Sequence, residues 1–321
     1  MTDGQRDGPI VVTGGAGAVG SSLVRQLLAR GREVRVVDNL SNGRREHLPP
    51  DGTPGLSVTI ANVLEPAQYS HAFERASEVW HFAANTDIRR GTNQPRLDLD
   101  EGTLATFAVL EQARRHDVRR VIFSSSSVVY GFPTVFPTPE GYGPLFPQSL
   151  YAASKLAAEG LCSSYAYTYG FQVHLFRFAN IIGPGMTHGV IYDFFEKLRT
   201  DPRRLEVLGD GRQAKSYLRV EDCIEGMLLA TAKSTDPVNL FNLGTRDRIS
   251  AREIAEKVVA AHGDGARIEF TGGERGWVGD VPQQLLSIDR IERLGWRPRW
   301  NSGEAVDRTI AELVESRRLR A

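Results

Sequence analysis

Only two cysteines occur in 321 residues, Cys162 and Cys223, and they do not form a CxxC pair. A disulfide framework is excluded, and a reducing, cytoplasmic setting is the expectation. An excess of one charge sign is lacking as well: Lys plus Arg and Asp plus Glu each total 39. No strong field for nucleic acid or an anionic membrane follows, so neither is expected as a partner. The nearest approach to a basic run, Arg317-Arg318-Leu319-Arg320, reads as the solvated end of a helix. No apolar run approaches the roughly 18 residues of a membrane span. The start, MTDGQRDGP, lacks the apolar stretch of a signal peptide. The seven histidines show no paired metal-ligand spacing, and no metal is expected. What remains, at 41% hydrophobic and 24% charged residues, is an ordinary globular composition, long enough for two domains sharing a cleft.

Within that composition there is a rhythm. Ile10-Val11-Val12-Thr13 is a short apolar run ending in glycines, a helical pattern follows over 19–29, and Gly31 sits where a helix C-cap belongs. Strand-like runs cover 33–38, 56–60, 78–82 and 120–124. One helix starts near Pro66, a longer one spans about 97–116, and another fits 150–169, stopping at Gly170 before a strand over 172–176. This alternation predicts an α/β fold, a doubly wound parallel sheet of the Rossmann type with helices on both faces. Beyond Asn180 the rhythm breaks, loops lengthen, and Ser250-Ala251-Arg252-Glu253 reads as a capping box opening a helix to Ala261. The predicted division is 1–179 with 217–248 for the sheet domain, and 180–216 with 249–321 for a smaller mixed α/β domain.

The first turn, TGGAGAVGSSL, places Gly14, Gly17 and Gly20 at GxxGxxG spacing between a strand and a helix. Glycines there permit a tight turn, close approach of backbone to a pyrophosphate and tight helix packing, with the helix N-terminus facing the phosphates. Asp38 ends the second strand, where a carboxylate accepts from an adenosine ribose and repels a 2′-phosphate, so NAD is expected over NADP. Asn39, Leu40, Ser41, Asn42 and Gly43 would continue around the ribose and phosphate, and Asn62 and Val63 would face the adenine edge.

Two further stretches carry chemistry. FSSSSVVYG stacks four hydroxyls, Ser124 to Ser127, at the end of a strand, with no acid among them. In LYAASKLAAEG, Tyr151 and Lys155 stand four apart and share a helix face. A tyrosine ionises near pH ~10, and an adjacent lysine cation and a positive nicotinamide would favour its phenolate.

TGGAGAVGSSL, DNLSNG, HFAAN, FSSSSVVYG, YAASK, RFANIIGPG and GDGRQAKSY, in this order, resemble the extended short-chain dehydrogenases. Within them the chain looks like the NAD-dependent nucleotide-sugar epimerase/dehydratase family, and most like its UDP-glucose 4-epimerase branch. The resemblance implies that Ser126 partners Tyr151 and Lys155 in catalysis. It implies that Ala18, Val19, Phe82, Ala83, Ala84 and Phe178 join the cofactor site, as do Tyr151 and Lys155, with Lys155 holding the nicotinamide ribose and Tyr151 taking the proton of a sugar hydroxyl. Ser125, Ser126 and Ser127 are expected at the sugar, and Asn180 and Val190 at the diphosphate and nucleotide. Leu205 and Val207 would flank the base, while Lys215 and Arg275 would supply charge to the phosphates. Trp277, at the family's usual second-arginine position, is either a packing residue or a ligand contact.

The family's dehydratases carry an Asp-Glu pair directly after the catalytic hydroxyl, and its decarboxylases keep a glutamate there. Here Ser127 and Val128 take those places and cannot serve as general acid or base. Reversible oxidation needs no such group, so the resemblance implies a UDP-hexose 4-epimerase with bound NAD acting through a 4-keto-sugar. A UDP-glucuronate 4-epimerase, or an epimerase or ketoreductase for a dTDP- or CDP-sugar, remains open. Uronate-specific relatives often place an arginine after a GP dipeptide, where Gly185 stands here; Arg89, Arg90 or the serines could substitute. The family also implies a homodimer through the 97–116 and 150–169 helices.

Overall fold

The computed structural model describes residues 8–318 except 264 and 278. The first seven residues and the end of the basic C-terminal run lie outside the described residues, so the readings made on them have no structural counterpart. The strands are β1 (Ile10–Thr13), β2 (Val34–Asp38), β3 (Leu56–Ile60), β4 (Glu78–His81), β5 (Arg120–Ser126), β6 (Gln172–Phe178), β7 (Asn180–Ile182), β8 (Arg204–Val207), β9 (Ala214–Lys215), β10 (Tyr217–Arg219), β11 (Val238–Leu243), β12 (Ile249–Ser250) and β13 (Arg267–Phe270).

Seven of these form one parallel sheet in the order β11-β6-β5-β4-β1-β2-β3. The sheet is doubly wound: the chain starts at β1 and builds outward first to one side, then to the other. Its inner strands are apolar on both faces because helices cover both; β1 is buried at all four positions. One core gathers β1, β2 and the helices Ala18–Ala29 and Val220–Lys233; the other gathers β5, β6 and the helices Ala105–Arg115 and Leu150–Tyr169. The winding reverses between β1 and β4, so the strand ends there open a crevice suited to a ligand.

Local signals set several boundaries. Ser149 caps the helix Leu150–Tyr169 by accepting from the Ala152 amide at 3.1 Å, and Gly170 ends it in the left-handed region at φ 69°. The Ser250/Glu253 capping box is formed in full and opens the helix Ala251–His262. Other elements differ from expectation. The 97–116 stretch is a short helix Pro95–Asp98, a π-helical turn Leu99–Leu104 and the helix Ala105–Arg115. Gly102 in that turn lies so close to the neighbouring helix that a Cβ would stand 2.3 Å from Ser154 Oγ. The helix expected at Pro66 is two 3₁₀ turns, Pro66–Gln68 and Ser70–Phe73. Strands β5 and β6 run on to Ser126 and Phe178, because the two residues remain paired in register.

A third core belongs to the later chain and joins the helices Val190–Thr200, Ala251–His262 and Ser302–Arg318 with β8 and β13, which pair in parallel. The expected assignment of all of 249–321 to this smaller unit is too broad. Ile288, Ile291 and Trp296 pack into the core of the large sheet, where Trp296 donates to the Asp222 carbonyl at 3.1 Å. Among the described residues no helix is long and apolar enough to cross a membrane.

Candidate active site

A cleft of about 510 Å³ lies over the C-terminal ends of β1, β4, β5 and β6 and reaches across to the smaller unit. Gly14, Gly17, Ala18, Val19 and Gly20 line it at one end. Gly14 has φ +70°, and a Cβ there would stand 2.6 Å from the Ala83 amide nitrogen; at Gly20 it would stand 2.2 Å from the Gly14 carbonyl oxygen. The turn thus packs on the end of β4, and the helix packs on the turn. No side chain caps that helix at Gly17, so its first amides are presented to the cleft for an anion.

Asp38 is buried at the end of β2, accepting from the Ala16 and Leu40 amides, both at 2.8 Å. It braces the glycine turn and leaves each oxygen further acceptor capacity. Asn39 accepts from the Ser41 amide, Leu40 adopts φ 58°, and Gly43 packs on Ala16. Of that loop only Asn42 lines the cleft, beside Phe82, Ala84 and Phe178. These features fit a dinucleotide: a cradle that a Cβ would fill, open helix amides and an acid beside them. Asn62 and Val63, like Asp38, lie outside the cleft lining. Asn62 accepts from the Leu64 amide in a local turn and Val63 is buried in the core.

Each serine of the run has a different partner. Ser124 donates to the His81 carbonyl at 3.2 Å, while its own carbonyl accepts from Lys155 Nζ at 2.8 Å. Ser125 donates to buried Glu159, which also holds Arg177 in a two-bonded ion pair at 2.9 and 2.7 Å. Its hydroxyl is therefore committed to Glu159, while the residue itself lines the cleft. Ser126 accepts from the Val128 amide at 3.4 Å and stands near enough to Tyr151 to favour its phenolate. Ser127 accepts from Gln284. Ser126, Tyr151 and Lys155 all line the cleft.

Burial pushes Tyr151 up to about 12, the Ser126 hydroxyl pulls it down, and nearby Asp98 raises it. The expected lowering by Lys155 is not realised among the chain's own groups: the ammonium faces the Ser124 carbonyl and lies 5.9 Å from the Tyr151 ring centre. Burial in turn lowers Lys155 to about 8, against the nearby Cys162, Glu159 and Asp98. Asp98, 1% exposed, is bonded by Asn85 at 2.8 Å and held above the usual carboxylate range by burial.

On the other wall stand Asn180, Val190, Val207, Lys215 and Trp277. Asn180 donates to the Ser216 carbonyl at 3.1 Å and to Gln284 Oε1 at 3.0 Å. Lys215 is held by buried Asp280 at 2.7 Å and lies 5.3 Å from the Trp277 ring centre. Two expectations fail here. Leu205 is fully buried in the third core and only Val207, at the end of the same strand, reaches the cleft. Arg275 lays its guanidinium on the Phe132 ring at 4.5 Å, outside the cleft wall. The wall also contains Asp87, Arg89, Asp193, Asp280 and Gln284, of which the sequence singled out only Arg89. Among the described residues no group of three His, Cys, Asp or Glu could hold a metal ion.

The profile of the NAD dependent epimerase/dehydratase family matches residues 10–244. The chain belongs to that family. A UDP-glucose 4-epimerase of Mycolicibacterium smegmatis is 32% identical over 308 residues, 94% of this chain and 96% of that protein. A solved UDP-galactose 4-epimerase superposes with a TM-score of 0.87 at 40% identity, covering 96% of this chain and 99% of its own. The family's chemistry is broader than epimerisation: UDP-glucuronic acid decarboxylase 1 of Arabidopsis thaliana is 31% identical over 312 residues, 95% of this chain and 69% of that protein.

Proposed function

We propose that the protein is a cytoplasmic UDP-hexose 4-epimerase that interconverts UDP-glucose and UDP-galactose through a transient 4-keto-sugar. The observation that carries this reading is the end of β5: Ser126 lines one cleft with Tyr151 and Lys155 and is followed by Ser127 and Val128 instead of acids. Tyr151 removes the proton from the sugar O4 and returns it after the sugar has turned. Ser126 bonds the same oxygen and lowers the cost of the phenolate. Lys155 is fixed by the Ser124 carbonyl and would hold the nicotinamide ribose. NAD would supply the acceptor and then the donor of the C4 hydride and would not be consumed. Gly14, Gly17 and Asp38 would hold it. Asn180 and Lys215 would face the diphosphate, and the wall around Val190 and Val207 would face the uridine.

Proton NMR of the protein with UDP-glucose, without added reductant, tests the reading. Growth of UDP-galactose signals to a fixed ratio is expected; an unchanged spectrum overturns it. A second reading, UDP-glucuronate 4-epimerisation, is favoured by Arg89, which lines the cleft with only long contacts to Asp193 at 3.5 Å and Asp87 at 3.8 Å. A sugar carboxylate at hydrogen-bond distance would approach it more closely than either aspartate. A homodimer is supported by exposed Leu104, Phe107 and Leu150 on or beside the helices Ala105–Arg115 and Leu150–Tyr169. Light scattering reads it directly.

A further inference from the structure

Gln284 enters the cleft from a segment 157 positions away from Ser127, yet the two side chains are bonded. The direction of that bond can be deduced from a fixed end. The Ser216 carbonyl can only accept, and Asn180 Nδ2 lies 3.1 Å from it, so this atom is the amide nitrogen. Its second proton goes to Gln284 at 3.0 Å, which makes that atom Oε1 and leaves Nε2 on Ser127. Nε2 can only donate, so Ser127 Oγ accepts. Among the described residues Ser127 Oγ has no other hydrogen bond, and its own proton is left for the cleft.

We propose that Gln284 is a positioning residue that sets the polarity of Ser127, making it a hydrogen-bond donor to the sugar. The relay runs from the Ser216 carbonyl through Asn180 and Gln284 to Ser127, and all three side chains line the cleft. The inference rests on the nucleotide-sugar reading of this site and refines it. The substituent facing Ser127 must be an oxygen able to accept, so a pyranose carrying hydroxyl or carboxylate oxygen there is selected. An amino sugar whose ammonium can only donate is rejected. Gln284 is 8% exposed and Ser127 6% exposed, so water compensates poorly for a reversed dipole.

The test uses Gln284→Glu, Gln284→Met and Ser127→Ala in the holoenzyme, with UDP-glucose and UDP-glucuronate as probes. Glutamate keeps the shape of glutamine but turns Ser127 round, because a carboxylate oxygen now takes the serine proton. Methionine removes the dipole and lets the hydroxyl rotate. The expected order of kcat/KM is wild type, then Gln284→Met, then Gln284→Glu, the last down by ~10-fold or more. Adding Ser127→Ala to Gln284→Glu is expected to cost little further, and adding it to Gln284→Met to cost less than it does in wild type, because both act through one hydroxyl. Melting temperature and NAD retention are measured alongside. If Gln284→Glu fails to fold, the Gln284→Met and Ser127→Ala pair gives the same coupling. A Gln284→Glu enzyme as active as wild type, or losses that multiply in the double variants, overturns the inference alone. A wild type that turns over neither probe overturns the reading of the site and this inference with it.

Discussion

The Lys155 ammonium donates to the backbone carbonyl of Ser124 at 2.8 Å. The serine run therefore holds the lysine through its main chain, while the Ser124 and Ser125 hydroxyls go to His81 and Glu159 and that of Ser126 accepts from the Val128 amide. The lysine bond joins the helix Leu150–Tyr169 to the end of β5, and it sets the depth at which Tyr151 and Ser126 meet.

Holding a lysine at 3% exposure has a stability cost with a definite sign. Burial depresses Lys155 from 10.5 to about 8. Between those values the unfolded chain binds a proton that the folded chain does not, so wild-type stability rises with pH across this window. Below it the full penalty applies, about 3 kcal/mol from the shift. Lys155→Met removes that penalty but leaves the Ser124 carbonyl without its donor, at about 1–3 kcal/mol. The variant should lose activity by orders of magnitude yet unfold in urea at pH 7 no earlier than wild type, with its advantage gone by pH 10. A variant less stable at pH 7, with curves parallel at every pH, would contradict this.

Tyr151 sits at about 12 with Ser126 pulling it down. Ser126→Ala removes that pull, so the tyrosine moves further up and less phenolate forms at neutral pH. Activity should drop by ~10²-fold, with the rising limb of the pH–rate profile displaced to higher pH. Tyr151→Phe should lose still more, with a residual rate that no longer follows that limb. Steady-state profiles of the three proteins decide it; an unshifted limb in Ser126→Ala would argue against the pairing.

How far the sequence foretold this arrangement depends on the range of the signals. Ser149 and Gly170 bound their helix because caps act over a few residues, and Ser250 with Glu253 did the same. The β-α alternation sufficed for the sheet, since each strand pairs by a rule of handedness and burial. That Tyr151 and Lys155 share a helix face was legible from their spacing, whereas Ser126 was singled out by the family resemblance alone. The π-helical turn at Leu99–Leu104 was not, because it answers to Ser154 on another helix. Gln284 and Asp280 carried no motif; their meaning lies in contacts to Ser127 and Lys215 across the cleft. Leu205 and Arg275 were misplaced because resemblance gives a position along the chain, whereas strand pleat and the Phe132 ring decide where each side chain goes.

Glu159 and Arg177 form an ion pair that is buried on both sides, at 2.7 Å, with Ser125 as a third member. Glu159→Gln keeps the shape but leaves the guanidinium without its counter-charge. Removing one partner of such a pair typically costs 3–5 kcal/mol, so a loss of about that size is expected in urea unfolding. The pair stands one turn beyond Lys155, and Glu159 raises the lysine's pKa. The variant should therefore also lower it. Stability equal to wild type would show that the pair contributes nothing net.

The glycine turn separates binding from folding. Gly20 has the Gly14 carbonyl oxygen 2.2 Å from where a Cβ would go, and backbone there cannot give way. Gly20→Ala should be destabilised and poor in cofactor alike. Gly17 differs: its φ of −73° suits any residue, and the nearest atom to a Cβ is that same oxygen at 3.3 Å. Gly17→Ala should fold with a melting temperature close to wild type, yet its methyl group stands where a pyrophosphate must approach the helix amides. Loss of NAD retention by tenfold or more, with stability unchanged, is the expected result. NAD held as tightly as in wild type would place the cofactor's phosphates elsewhere than at this helix.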